Sequence, residues 1–282
     1  MTGRAVVAAL PELLDRWQAD LAAWAIPDHI TATVPDSPWV LPREVFARRA
    51  DRQHQGPGGP SYERAWEALA PAGSVLDVGC GGGAASLPLG PAITELTLVD
   101  ADEAMLGMAA ERARAAGIST RPVAGRWPDV AGEIPPADVV TCYNVLYNVP
   151  DLGPFLTALT SHARRRVVAE ITAGHPLASL NPLWQRFWGL TRPQNPTSYD
   201  VLDILAAMSV RARQTKWSRP AEADYHSMAE LVEVTRRRLC LPPDRAGEVE
   251  AALLAAGADH GRPGDLGTSG RDVVTMWWED TP

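Results

Sequence analysis

One stretch in the first third of the chain decides the fold: Val75-Leu76-Asp77-Val78-Gly79-Cys80-Gly81-Gly82-Gly83. Its first four residues are mostly apolar, which is typical of a short buried strand. Four of the next five residues are glycines, and Ala84 to Leu89 can begin a helix. Glycines at that point let the backbone turn tightly and let a ligand approach main-chain amides at a helix N-terminus. The stretch therefore predicts a ligand-binding turn between a strand and a helix.

Strands and helices alternate downstream of this loop. Strands are predicted at Leu96–Asp100, Arg121–Ala124, Asp138–Tyr143, Arg166–Thr172, Val210–Trp217 and Asp272–Trp278. Helices are predicted at about Asp102–Ala116, Leu152–Ala163, Tyr199–Met208, Met228–Leu239 and Ala246–Ala256. Strands separated by helices of this length imply right-handed crossovers and a parallel sheet. The chain is therefore predicted to be an α/β protein.

Asp100 ends the strand that follows the glycine loop, 17 residues after Gly83. A carboxylate at that strand end can accept hydrogen bonds from both hydroxyls of a ribose. The other interpretation of Asp100 is a cap for the following helix, but Asp102 is better placed for that role. The pattern therefore favours a ligand that contains a nucleoside.

Two ligand-binding templates fit the loop. Its glycines with Ala84 match the dinucleotide fingerprint Gly-x-Gly-x-x-Ala. With Asp77 included, Asp-x-Gly-x-Gly-x-Gly resembles motif I of the class I methyltransferases, which bind S-adenosyl-L-methionine (SAM). Asp77 favours the second template, because a carboxylate there can face the amino group of a methionine but would repel a pyrophosphate. About 75 residues precede the loop, whereas a dinucleotide domain usually opens with it.

Residues 61–172 as a whole resemble this family, in particular its small-molecule branch, which includes the ubiquinone/menaquinone methyltransferase-like enzymes. The resemblance implies a seven-stranded, mostly parallel, Rossmann-like sheet with helices on both faces. It also implies methyl transfer from SAM to an O, N, S or C nucleophile of a small molecule. A NAD(P)-dependent oxidoreductase and a non-catalytic SAM-binding protein are the alternatives.

The resemblance also implies which residues bind the cofactor. Asp77 and the glycines would hold the methionine end, Asp100 the ribose, and Met105 would lie beside the adenine. Asn144 follows the fourth strand, where the family places a residue near the reacting methyl. The full set expected to bind SAM is Asp77, Gly79, Cys80, Gly81, Gly83, Asp100, Ala101, Met105, Arg126, Trp127 and Asn144.

One position departs from the family pattern. After the third strand the family often has Gly-Asp, whose acid accepts a hydrogen bond from the adenine amine. Here the matching residues are Gly125, Arg126 and Trp127. Because Arg126 cannot accept that bond, we expect either Trp127 to stack on the purine or a backbone carbonyl to replace the acid.

The segments outside the resemblance predict a cap and a lid. Residues 1–70 predict a helical cap on a SAM-binding domain at 71–282. Its first helix has Val6, Leu10, Leu13, Trp17, Leu21 and Trp24 on one face, and Arg43–Asp51 is a second helix. Residues 56–60 predict a hinge, and Ser61 is the expected N-cap of a third helix. Residues 173–197 are rich in Pro, Trp and Asn and too long for an ordinary connection, so they predict a lid insertion after strand five.

His175 is the candidate catalytic residue. It follows strand five, at the sheet edge where ligands of open α/β folds bind. Its unperturbed pKa lies near 6.5, so it could accept a proton from a hydroxyl or an amine. The alternative is a loop histidine that caps a turn before Pro176. Glu170 is a further candidate, or a buried structural acceptor.

Composition narrows the partners. The formal net charge is -8, which argues against a nucleic-acid binder. Cys80, Cys142 and Cys240 are too far apart for metal-ligand spacing, and a sparse, odd set suits a reducing compartment. No apolar run reaches the length of a membrane span. We therefore expect a cytoplasmic monomer or homodimer with a small-molecule substrate, no metal, no nucleic-acid partner and no membrane partner.

Overall fold

The computed structural model describes residues 9–35, 37–39, 42–220, 225–267 and 271–279. In this part of the chain one sheet has the order β3-β2-β1-β4-β5-β7-β6. Its strands are β1 (Gly73–Val78), β2 (Ile93–Asp100), β3 (Thr120–Ala124), β4 (Ala137–Tyr143), β5 (Ala163–Thr172), β6 (Arg213–Ser218) and β7 (Asp272–Trp278). Strand β7 runs antiparallel to both of its neighbours, β5 and β6, and the other four strand pairs are parallel. The predicted seven-stranded, mostly parallel sheet is therefore confirmed.

The helices of the described residues also follow the predicted rhythm. They are α1 (Leu10–Ala22), α2 (Asp28–Thr31), α3 (Arg43–Gln55), α4 (Pro60–Ala68), α5 (Glu103–Ala115), α6 (Leu152–Ser161), α7 (Asn181–Trp188), α8 (Ser198–Ala207), α9 (Met228–Arg238) and α10 (Ala246–Ala255). Asp102 caps α5 by accepting the amides of Ala104 and Met105, as expected. Val6 was expected in the first helix and lies outside the described residues.

The segment after the glycine loop differs from the prediction. Residues 81–86 form turns, and a short 3-10 helix spans Leu87–Ala92. Pro88 and Pro91 lack backbone N–H groups and cannot sustain a regular α-helix. The prediction of a helix beginning at Ala84 is therefore wrong, and the glycine loop leads into turns rather than into a helix N-terminus.

The start of α4 corrects a second expectation. The helix begins at Pro60 with Gly59 as its N-cap residue, so Ser61 is not the cap. Instead, the buried Ser61 hydroxyl lies 2.6 Å from the Thr275 hydroxyl on β7. Ala65 of α4 is likewise buried in the sheet core. This helix therefore packs with the sheet, although it falls inside the predicted cap region.

The N-terminal segment wraps around the carboxyl edge of the sheet. Leu13 and Trp17 of α1 are buried in the core on one face, beside α6 and α8. The chain then crosses the edge, and α3 packs against the 3-10 helix that follows the glycine loop. The predicted cap is thus integrated into the main core at its first helix.

A second hydrophobic core contains residues from three distant parts of the chain. Its buried residues include Ile26, Ile30 and Val45 from the N-terminal segment, Leu183 and Trp184 from α7, and Met228, Leu231, Val249 and Leu253 from α9 and α10. Helices α9 and α10 form this second core together with the lid segment. None of the helices in the described ranges is long and apolar enough to cross a membrane.

Candidate active site

The glycine loop needs its glycines. Gly79, Gly81 and Gly83 have φ angles of 69°, 51° and 87°, a region that costs other residues about 1–2 kcal/mol. A Cβ on Gly79 would overlap Val145 Cγ2, and one on Gly83 would lie 2.6 Å from Leu87 Cδ1. Gly79 and Gly81 stay partly exposed. The loop therefore presents bare backbone at the carboxyl edge of the sheet.

Helix α3 lies directly on this loop. A Cβ on Gly82 would be 3.1 Å from the Ala50 side chain. Arg112 of α5 joins the two segments, since its Nη1 donates to the Gly82 carbonyl at 3.2 Å and its Nη2 to the Ala47 carbonyl at 3.2 Å. Arg112 also pairs with Asp51 at 2.8 Å. The N-terminal segment is thus fastened over the predicted cofactor loop.

Asp100 lies where the sequence predicts, at the end of β2 beside the loop. Its Oδ2 accepts the Gly81 amide at 2.8 Å and its Oδ1 accepts the Asp102 amide at 2.9 Å. An ionised carboxylate has about four acceptor positions, so two remain for hydroxyl donors. The neighbouring Ala101 is exposed, and the buried Met105 lies against Gly81. This arrangement fits a ribose at Asp100 with Met105 beneath the base.

Asp77 lies deeper than expected. Its side chain is fully buried, and its two oxygens accept hydrogen bonds from Ser86 Oγ at 2.6 Å and Thr141 Oγ1 at 3.0 Å. Burial raises the pKa of this carboxyl to about 6, against the hydrogen bonds from the two hydroxyls, which lower it. In this conformation Asp77 fastens the loop to β4. Its contact with a methionine amino group remains a prediction. Cys80 is also buried, and burial raises its thiol pKa, which leaves the thiol protonated.

Asn144 stands at the exit of β4 in a left-handed conformation, with φ 60°. Its amide donates to the Glu170 carbonyl at 2.7 Å, and its Nδ2 donates to Glu170 Oε1 at 3.1 Å. The same Glu170 oxygen accepts a hydrogen bond from Arg219, which follows β6. A non-glycine residue held at positive φ is often functional. Glu170 therefore positions Asn144, which is exposed at the edge where the methyl donor is expected.

Trp127 does not lie at this edge. It is 6% exposed, packs edge-on against His162 with ring centroids 4.9 Å apart, and its Nε1 donates to the Phe155 carbonyl. Its indole is part of the core under the sheet, because burying this large apolar ring outweighs leaving it at the surface. The expectation that Trp127 stacks on adenine is therefore contradicted. Arg126 remains exposed beside it.

His175 joins a cluster of aromatic rings between the N-terminal segment and residues 173–197. Its imidazole is stacked on Trp24 with centroids 3.8 Å apart and meets Tyr147 edge-on at 5.2 Å. Tyr147 in turn stacks on Trp17 at 5.9 Å. Trp24 Nε1 donates to the Asn195 carbonyl at 2.6 Å. The two predicted segments, cap and lid, therefore meet through these rings.

The hydrogen bond of His175 defines its protonation. Nδ1 accepts the Leu177 amide at 3.3 Å, so in the neutral ring the proton is on Nε2. Burial, and then the nearby charge of Arg192, lower its pKa to about 4. At neutral pH the ring donates through Nε2–H, and the lone pair on Nδ1 already accepts the Leu177 amide. This geometry argues against the expected general base and also gives His175 the turn-capping role before Pro176.

Sequence reasoning missed two arginines of this region. No sequence pattern predicts the role of Arg112, since it looks like any polar residue on the outer face of α5. Arg192 carried a weak one, as a cation inside the Pro- and Trp-rich segment. It is 6% exposed and lies between the Trp24 and Trp184 rings, at 5.4 Å and 5.2 Å from their centroids.

The comparisons with known proteins agree with this geometry. Residues 75–166 match the methyltransferase domain family. The chain is 30% identical over 176 residues to a ubiquinone biosynthesis O-methyltransferase from Rhizobium rhizogenes, which covers 55% of this chain and 70% of that protein. The YcgJ protein from Bacillus subtilis superposes with a TM-score of 0.50 at 17% identity, covering 78% of this chain and 99% of that one.

These matches favour neither a nicotinamide-dependent oxidoreductase nor a non-catalytic binding protein. The chain belongs to the class I SAM-dependent methyltransferases.

Proposed function

We propose that this methyltransferase transfers the methyl group to an oxygen of a small aromatic molecule. The observation that carries the proposal is the ring cluster of Trp17, Trp24, Tyr147 and His175 at the carboxyl edge. Tyr147 is the partly exposed ring of this cluster and can stack on a planar aromatic ligand, whereas the other three rings are buried behind it. Small-molecule sites are lined mainly by apolar and aromatic groups. The similarity to an O-methyltransferase supports oxygen as the acceptor atom.

Each cofactor contact is assigned from the position of its side chain. Asp100 binds the ribose hydroxyls, Met105 lies under the adenine, and the partly exposed backbone of Gly79 and Gly81 lies against the methionine end. Asn144 lies beside the sulfonium. Bound SAM supplies an electrophilic methyl group. These residues fix its direction, and orientation of this kind is worth up to about 7–11 kcal/mol in well-aligned systems.

Residues 9–35, 42–55 and 173–197 act in this proposal as a cover that excludes water from the transfer. Arg112 fastens the first segment to the cofactor loop, and the Trp24–His175 stack joins the two segments. Because phenols ionise near pH 10, the acceptor must lose its proton before the transfer. In this proposal the proton goes to bulk water before the cover closes, so that the phenolate oxygen is the nucleophile and no side chain acts as a general base. His175 would then donate its Nε2–H to the acceptor oxygen or a neighbouring group.

The test is a methyl-transfer assay with SAM and three matched sets of simple aromatic acceptors: phenols, anilines and thiophenols. We expect methylated phenols and an equal amount of S-adenosylhomocysteine (SAH) by mass spectrometry. Methylation of the anilines or thiophenols alone would overturn the assignment of oxygen. Tight SAH binding without turnover of any acceptor would instead point to a substrate outside this chemical class.

A further inference from the structure

Arg192 is a buried cation that has no carboxylate partner among the residues that the structure describes. Its side chain reaches into the space between the N-terminal segment and α7, and it is 6% exposed. Within the described ranges its hydrogen bonds go only to backbone, with Nη1 donating to the Ala25 carbonyl at 2.9 Å and Nη2 to the Trp24 carbonyl. Its Nε is buried without a hydrogen-bond partner.

Burying the Arg192 guanidinium costs free energy unless an opposite charge lies beside it. A buried charge is ordinarily paired with an opposite charge, because removing an ion from water costs several kcal/mol. Two carbonyl dipoles and two indole faces offset part of that cost, but they supply no net negative charge. Burial also lowers the pKa of the Arg192 guanidinium, with no carboxylate of the described residues acting against it. An anion beside Arg192 would supply both the missing charge and an acceptor for Nε.

The surroundings of Arg192 suit an aromatic anion. The guanidinium and the imidazole both contact the Trp24 ring, at 5.4 Å and 3.8 Å from its centroid. His175 offers an N–H donor rather than an acceptor, as its bond from Leu177 shows. A cation whose buried Nε lacks an acceptor, next to an N–H donor and among aromatic rings, favours an aromatic ligand that carries a negative group.

We propose that Arg192 provides the counter-charge for an anionic group of the substrate, so that the enzyme prefers small aromatic acids to neutral aromatic molecules of the same shape. This inference rests on the proposed function, because it names the substrate class of the same site. The competing role of Arg192 is purely structural, as a link between the carbonyls after α1 and the lid segment.

Two ligands of nearly equal shape test whether a negative charge on the ligand increases its affinity. 3-Hydroxybenzoate and 3-hydroxybenzamide share the ring and the hydroxyl, and only the first is ionised at pH 7.5, since carboxyl groups titrate near pH 4. Calorimetry on the SAH-loaded protein should give at least tenfold tighter binding of the acid. Equal affinities, tighter binding of the amide, or no binding of either probe would overturn the proposal.

Variants of Arg192 distinguish its effect on the binding of an anion from a purely structural role. Arg192→Gln should abolish the preference for the acid, and Arg192→Lys should retain part of it. Arg186→Gln, which changes an exposed arginine of α7 in the same lid segment, should leave the preference unchanged. If Arg192→Gln lowered thermal stability and weakened both probes equally, the residue would be only a structural link. Should Arg192→Gln fail to fold, the wild-type preference and the lysine variant still decide the question.

The outcomes for the two proposals are distinct. Methylation of neutral phenols with no preference for acids would overturn the role of Arg192 and leave the O-methyl transfer standing. Selective binding of the acid without methylation of any phenol would overturn the proposed acceptor atom and support the anion site.

Discussion

Gly79→Ala tests whether the glycine loop is fixed by its backbone geometry. Gly79 has φ 69°, and a Cβ there would overlap Val145 Cγ2. The left-handed conformation costs a residue with a side chain about 1–2 kcal/mol, and forcing a methyl group into packed surroundings adds about 1–3 kcal/mol. We therefore expect the free energy of unfolding to fall by roughly 2–5 kcal/mol.

Two further variants separate the conformational cost of Gly79→Ala from its steric cost. In a Val145→Ala background the steric part should largely vanish, so Gly79→Ala should cost only about 1–2 kcal/mol. Gly107→Ala is the matched control, because Gly107 lies inside α5 and a Cβ added there would meet nothing within 4 Å. Alanine should stabilise that helix by about 0.5–1 kcal/mol.

Urea unfolding followed by circular dichroism measures the free energy of unfolding of each variant, and calorimetry measures its affinity for SAH. Gly79→Ala should weaken SAH binding at least tenfold (about 1.4 kcal/mol), whereas Gly107→Ala should leave it unchanged. If Gly79→Ala and Gly107→Ala had the same stability and the same SAH affinity, the loop geometry would not be what the structure describes.

Three more predictions concern the site and its cover. Asp100→Ala should weaken SAH binding by about 1.5–3 kcal/mol in calorimetry, through lost charge-assisted hydrogen bonds, whereas the exposed Glu103→Ala should not; equal affinities would refute the ribose contact. Arg112→Met should speed hydrogen exchange of residues 43–55 and weaken SAH binding, while Arg114→Met on the same helix should do neither, and unchanged exchange would show that Arg112 does not fasten α3. His175 has a pKa of about 4 in the folded protein, below the ordinary 6.5 of the unfolded chain, so its contribution to stability is full above pH 6.5 and falls as the pH drops towards 4. This loss of stability, roughly 3 kcal/mol at most, should be smaller in His175→Phe when urea unfolding is compared at pH 7 and pH 4.5. Identical losses in the two proteins would contradict the depressed pKa.

The sequence alone placed the strands of the sheet and the turn at the glycine loop, although not the segment that follows this turn. A strand has a period of two and a helix of 3.6, so local patterns place these elements without knowledge of their neighbours. Asp272–Trp278 was predicted with the bounds that the structure gives to β7. Glycines at positive φ and an acid at the next strand end also act locally, which is why Gly79, Gly81 and Asp100 could be placed from their spacing.

Contacts between distant segments could be decided only by the tertiary structure. Trp127 looked available for adenine, but whether an indole faces a ligand or the core depends on what packs opposite, here Phe155 and His162. The proton position of His175 likewise depends on Leu177 and on the charge of Arg192. Arg192 itself was one cation in an irregular segment until folding buried it between two indole rings. Burial and electrostatics are properties of the whole assembled chain, and spacing along the sequence does not encode them directly.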